Sequence, residues 1–195
     1  MVKARLRHAI PTAGVFAALT IATAFTGAQS LGPPERYTAT AVNLDRGGTS
    51  TIEIVVNRWS TDAERDRLLT TLLEKGADKL LDVLQEIPKV GYIRTPTGLG
   101  WDLHYAQRSP SPDGGERVVL ATDRPLSFVE SANQLRTVDY PFTIIELRVN
   151  AQGEGEGKMS VATKIVADKE SRTIVLENYG TQPVLLQAVK KEKTT

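Results

Sequence analysis

The chain has no cysteine in its 195 residues and only two histidines, His8 and His104. Without thiols there is no disulfide, no lipid-modified cysteine and no thiolate metal site. A single histidine beyond the first few residues also excludes the His and Cys ligand sets that zinc usually takes, so no metal and no cofactor is expected. Aromatic residues are scarce at 6%, with two tryptophans, Trp59 and Trp101. Charge of one sign is lacking too, with 24 Lys and Arg against 23 Asp and Glu. A nucleic-acid partner is therefore not expected, because binding one needs clustered basic residues. The one basic run, Lys190, Lys191 and Lys193, falls in a stretch read as a polar tail over 190–195. No Gly-x-Ser-x-Gly elbow occurs, and Ser127, Ser131 and Ser160 have no recognisable base, which argues against a serine hydrolase.

The first 28 residues read as a secretory signal peptide. Lys3, Arg5 and Arg7 form a basic start, Ala9 to Phe25 is apolar and small, and Thr26-Gly27-Ala28 offers a cleavage site. Pro11, Thr12, Gly14, Thr20 and Thr23 interrupt the apolar run, so it falls short of a membrane span. Cleavage near Ala28 implies a periplasmic or extracellular location and no membrane span in the mature chain, and the lack of cysteine fits a bacterial exported product. The remaining 167 residues suffice for one domain. Gln29 to Glu35 is read as a linker and 36–189 as that domain.

Helical patterning is confined to one stretch, 61–87. Thr61 followed by Glu64 has the form of a capping box, Leu68, Leu69, Leu72 and Leu73 recur at helical spacing, and Gly76 suits a helix end. Ala77, Leu80, Leu81, Leu84 and Ile87 continue a second helix, which Pro88 stops. Everything else is strand-like. Arg36 to Leu44 and Thr51 to Trp59 flank the turn Asp45-Arg46-Gly47-Gly48 and predict a hairpin. Trp101, Leu103 and Tyr105 are predicted on one face of a strand, with Asp102 and His104 on the other. Asp123 to Tyr140 carries no clear pattern, and from Pro141 alternating segments follow one another through short turns.

The predicted fold is mainly β (α+β): an antiparallel meander of eight to nine strands, closed as a barrel or folded as a sandwich, with a two-helix insertion after the first hairpin. In outline this resembles the calycin-type secreted barrels, although the Gly-x-Trp expected near their first strand is missing. It also resembles the helix-grip fold, in which two helices follow an early strand, without that fold's long C-terminal helix. As a whole the chain is similar to bacterial exported proteins, a resemblance that implies a location and no chemistry.

Asp102 and His104 lie two apart on a strand, so a carboxylate could orient the ring for general acid or base work; the plainer reading is a solvent-facing strand. Gly153-Glu-Gly-Glu-Gly157 has too few acids for a calcium loop and reads as a hairpin turn. Gly98-Leu99-Gly100 precedes a strand rather than a helix, so it lacks the context of a phosphate loop. Tyr92, Trp101, Tyr105, Phe128, Tyr140 and Phe142 cluster in the middle of the chain as core residues or as the lining of an apolar pocket. The leading expectation is a non-enzymatic exported protein that binds an apolar small molecule or lipid between sheet and helices. The alternatives are an envelope protein–protein interaction module and a hydrolase using His104 with a nearby carboxylate.

Overall fold

Thr61 caps the first helix as its sequence predicts. In the computed structural model of the chain, its Oγ1 accepts from the Glu64 N–H at 3.1 Å, and the Glu64 carboxylate accepts from the Thr61 N–H at 2.8 Å. The structure describes residues 33–43, 48–126, 141–168, 173–178 and 183–192, all within the compact unit Leu31–Thr195. The expected signal peptide lies outside the described residues. Helix α1 spans Asp62–Lys75 and α2 spans Ala77–Glu86, with Gly76 at positive φ between them. Arg58 reaches both ends of this helical hairpin, pairing with both Glu64 carboxylate oxygens at 3.0 Å and donating to Pro88 O at 2.7 Å. Removing the cap with Thr61→Ala is expected to cost about 1 kcal/mol. Calorimetry should then record a fall of roughly 2–4 °C in Tm.

Among the described residues ten strands form one antiparallel sheet: β1 Glu35–Asn43, β2 Gly48–Val56, β3 Gly91–Arg94, β4 Trp101–Leu103, β5 Tyr105–Pro110, β6 Glu116–Thr122, β7 Phe142–Val149, β8 Glu154–Asp168, β9 Thr173–Asn178 and β10 Val184–Lys191. Their order is β4-β3-β2-β1-β10-β8-β7-β6-β5, with β9 paired to β8 off this path. The nine strands on the path curl into a nearly closed barrel. Pairing of β1 with β10 brings the two ends of the domain together. At the seam, β4 and β5 are consecutive in the chain, and a short link helps close the gap. Ser60 N donates to Ala106 O at 2.8 Å, and Ala106 N donates back to Ser60 Oγ at 3.0 Å.

The sheet buries both faces near the helices. Tyr37, Ile52, Ile54, Ile93, Leu120, Ile145, Leu147, Met159 and Leu186 fill the barrel interior, none more than 1% exposed. On the opposite face Ala121 and Phe142 pack with Leu72, Leu80, Leu84 and Ile87, so the helices lie against the outside of the barrel. Each short helix thus gains the apolar support that it could not find alone in water.

Three local expectations are corrected. The predicted strand through Tyr105 breaks at His104, whose N–H turns to Ala121 O at 3.0 Å. The break inverts the alternation: Trp101 and Leu103 join the interior, Ala106 follows them inward, and Tyr105 packs on the helix side. With this split the sheet has ten strands, nine of them on the barrel path, as the expected meander of eight to nine strands requires. Only Asn150 to Gly153 forms the turn expected over 153–157, while Glu154 to Gly157 is strand. Gly155 and Gly157 take positions on the core face, where the neighbouring backbone leaves no room for a side chain. Finally, β10 runs to Lys191, beyond the expected end at 189, because Lys191 is held by ion pairs on both sides of the barrel mouth.

Among the described residues no helix is long and apolar enough to cross a membrane.

Candidate functional site

Among the described residues strand β5 ends the sheet, and beyond the Ser60–Ala106 pair its outer edge carries no ladder. Side chains from both of its faces therefore reach the seam. A small open cleft of about 130 Å³ lies there, between β5 and the start of α1. Trp59, Ser60, Thr61 and Asp62 line it from the segment entering the helix, and Arg65 from the first turn. Tyr105, Gln107 and Arg108 line it from β5. Trp59 is partly buried against the barrel core, and the Arg108 guanidinium lies 5.0 Å from its ring centroid. Such stacking fixes both side chains. The Tyr105 hydroxyl donates to Gln107 Oε1 at 2.5 Å. Burial raises the Tyr105 pKa, opposed by the nearby Arg65 charge, so the phenol stays a neutral hydrogen-bonding group.

Both cleft guanidinium groups already face carboxylates. Arg65 lies 3.5 Å from Asp62 and 3.3 Å from Asp66. Arg108 donates to Glu35 Oε1 at 2.7 Å. The lining is therefore polar and nearly charge-balanced, with two aromatic rings set among donors and acceptors.

Through Glu35 the cleft joins an ionic network at the barrel mouth. Lys191 Nζ lies 2.7 Å from Glu35 Oε2 and 2.8 Å from Glu116 Oε1. The Tyr37 hydroxyl faces the same two oxygens at 3.1 and 3.0 Å, while its ring is fully buried. Burial pushes the Tyr37 phenol far up, and the adjacent Glu116 and Glu35 carboxylates push it further. Burial opposes ionisation of Glu35, but Lys191, Tyr37 and Arg108 outweigh it and hold that carboxyl below its usual range. Burial likewise opposes the charge on Lys191, and its two carboxylate partners outweigh that and raise it.

The signs give a pH dependence. The lowered Glu35 contributes stability that is present above about pH 4 and lost as pH falls through its depressed value; the raised Lys191 and Tyr37 contribute stability present below about pH 10 and lost as pH rises. Urea unfolding across pH should therefore show a plateau from about pH 5 to 9 with a fall on each side. Tyr37→Phe should lower that plateau by about 2 kcal/mol, the size of a hydrogen bond to a charged group.

The residues singled out in sequence are dispersed. His104 and Asp102 do not form a pair: Asp102 is exposed, 3.8 Å from Lys89 Nζ, while the ring of His104 turns into the junction between α2 and the barrel. His104 Nδ1 lies 2.8 Å from Ile87 O and must donate to it, which leaves Nε2 facing Asp123 at 4.0 Å. Burial opposes ionisation of Asp123, but Arg124, with smaller contributions from His104 and Gln85, keeps its carboxyl below the usual range. This arrangement ties the helix end to the barrel. Tyr92 stands on β3 with Arg94 5.5 Å from its ring, Trp101 packs on the barrel core, and Phe142 is fully buried under the helices. Phe128 and Tyr140 lie outside the described residues. Of the six aromatic candidates, Tyr105 borders the cleft. Sequence reasoning missed Trp59, Arg65, Gln107 and Arg108. A signal was present, an aromatic residue two places before a capping box, but nothing local links it to β5.

The fold and site define an antiparallel barrel with an external helical hairpin and a mixed aromatic and polar cleft at its seam. The chain matches no family model, no curated protein and no solved structure.

Proposed function

We propose that this chain is an exported, non-enzymatic binding protein that holds a small ligand between sheet and helix, in the cleft where β5 meets α1. The observation that carries the reading is that cleft, in which the Trp59 and Tyr105 rings sit beside Gln107, Arg65 and Arg108. The basic and apolar first 28 residues support export. Among the described residues the helices pack on the sheet through Leu72, Leu80, Leu84, Ile87, Ala121 and Phe142, which are at most 5% exposed. A ligand held between sheet and helices therefore sits at the open margin, beside the edges of the two rings.

With two tryptophans, the chain gives two indole N–H resonances. Screening a small-molecule collection spanning lipids, organic acids and sugars by NMR should move the Trp59 resonance saturably and leave that of Trp101 in place. If no class of compound moves the Trp59 resonance, the reading fails. A second reading, contact with another envelope protein, is favoured by Leu99, which is 91% exposed between β3 and β4. A photo-crosslinker placed at position 99 and activated in the exporting host should then capture a defined partner.

A further inference from the structure

We infer that the ligand of the seam cleft is a saccharide, bound through one pyranose ring; this rests on the reading of the cleft as a binding site. Three observations lead there. The cleft is far smaller than the roughly 300–1,000 Å³ of pockets that enclose a drug-sized molecule, so it admits a single ring or the end of a chain. Six of its eight lining residues are polar, which disfavours an acyl chain, since burying polar groups without hydrogen-bonding partners is costly. Its guanidinium groups are already matched by Asp62, Asp66 and Glu35, so no unbalanced positive charge selects an anion.

What remains fits a hydroxylated ring. Sugar hydroxyls donate and accept at once, and here donors and acceptors alternate. Asp62 accepts, Arg65 donates, and Gln107, whose Oε1 is engaged by Tyr105, offers its amide N–H groups. The exposed margins of the Trp59 and Tyr105 rings leave a small apolar edge among these groups, enough to meet a C–H of the sugar but not to stack its whole face. Trp59 is held in place by Arg108 on one side and by the barrel core, so little ordering accompanies binding. A site for one ring, open to solvent, sets an affinity on the order of millimolar for a monosaccharide.

The test is a titration of the ¹⁵N-labelled full chain with glucose, N-acetylglucosamine, maltose and N,N′-diacetylchitobiose, and separately with sodium benzoate and sodium decanoate, each to about ten times that affinity. The expected result is a saturable shift of the Trp59 indole resonance with at least one saccharide, weakened tenfold or more in Gln107→Ala and in Arg65→Ala. The Trp101 resonance should stay fixed in all three proteins, showing that the barrel remains folded. A disaccharide binding tenfold tighter than its monomer identifies the end of a glycan chain, and equal affinities identify a free sugar; both support the inference. A shift with benzoate or decanoate and with none of the sugars overturns the saccharide assignment and leaves the cleft as a binding site. If no titrant moves the Trp59 resonance, both readings are overturned.

Discussion

Phe142→Ala is expected to lower the stability of the chain by about 3–5 kcal/mol, the range for removing a large aromatic side chain from a core. Phe142 is fully buried in the cluster that joins the helical hairpin to the barrel, with Leu72, Leu84, Ile87 and Ala121 around it. A domain of this size loses roughly 2–4 °C in Tm per kcal/mol, so the midpoint should fall by roughly 6–20 °C. The damage should also be local in character. The barrel has its own interior core around Ile54, Leu120 and Leu147, on the other face of the sheet. Hydrogen exchange in the variant should therefore accelerate first at the amides of α1 and α2 and later at those of β6 and β7. If the helix amides keep their protection, the polar ties carry the docking instead: Arg58 to Glu64 and Pro88 O, and His104 to Ile87 O. Undocking would also open the seam cleft, because Arg65 and Thr61 reach it only while α1 lies against the barrel.

The helical hairpin was legible because its signals are local. A capping box spans four residues, and Gly76 and Pro88 act on the backbone beside them. The meander was legible for the same reason, since short turns force neighbouring strands to pair. Three features were not legible, and each is non-local or breaks a period. Tyr37 lies 79 positions from Glu116, and Lys191 lies 75 from it, so their meeting depends on closure of the barrel. At His104 one residue leaves the ladder, and the expected face of Tyr105 reverses. In Glu154 to Gly157 the core-facing half of an alternating strand is written in glycine, which carries no hydrophobic signal and reads as a turn. The seam cleft combines the first two causes: Trp59 meets Arg108 only because β5 is shifted by the His104 break and brought round to the segment that enters α1.

Gly155 is a site at which any side chain should do great harm. On β8 it faces Val149 of β7 on one side and Val189 of β10 on the other, next to the register shift in β10 between Leu186 and Val189. A Cβ on Gly155 would fall 1.8 Å from Arg148 O, 2.8 Å from Arg148 C and 2.9 Å from Val149 Cα. All three are backbone atoms, so no side chain can swing away, and the β7–β8 ladder itself would have to part. The strands approach this closely because the sheet must coil to close, and glycine permits the approach. Gly155→Val should exceed about 4 kcal/mol, the size that marks a structural fault rather than ordinary loss of packing. Gly48 supplies the control. It also lies in a strand, but a Cβ there meets nothing within 4 Å. Gly48→Ala should leave the urea midpoint unchanged or raise stability by about 0.5 kcal/mol, through the lower entropy of its unfolded chain. If Gly155→Val unfolds at the same urea concentration as Gly48→Ala, β7 and β8 are not as close as the barrel requires, and the closure of the sheet would have to be redrawn at that pair.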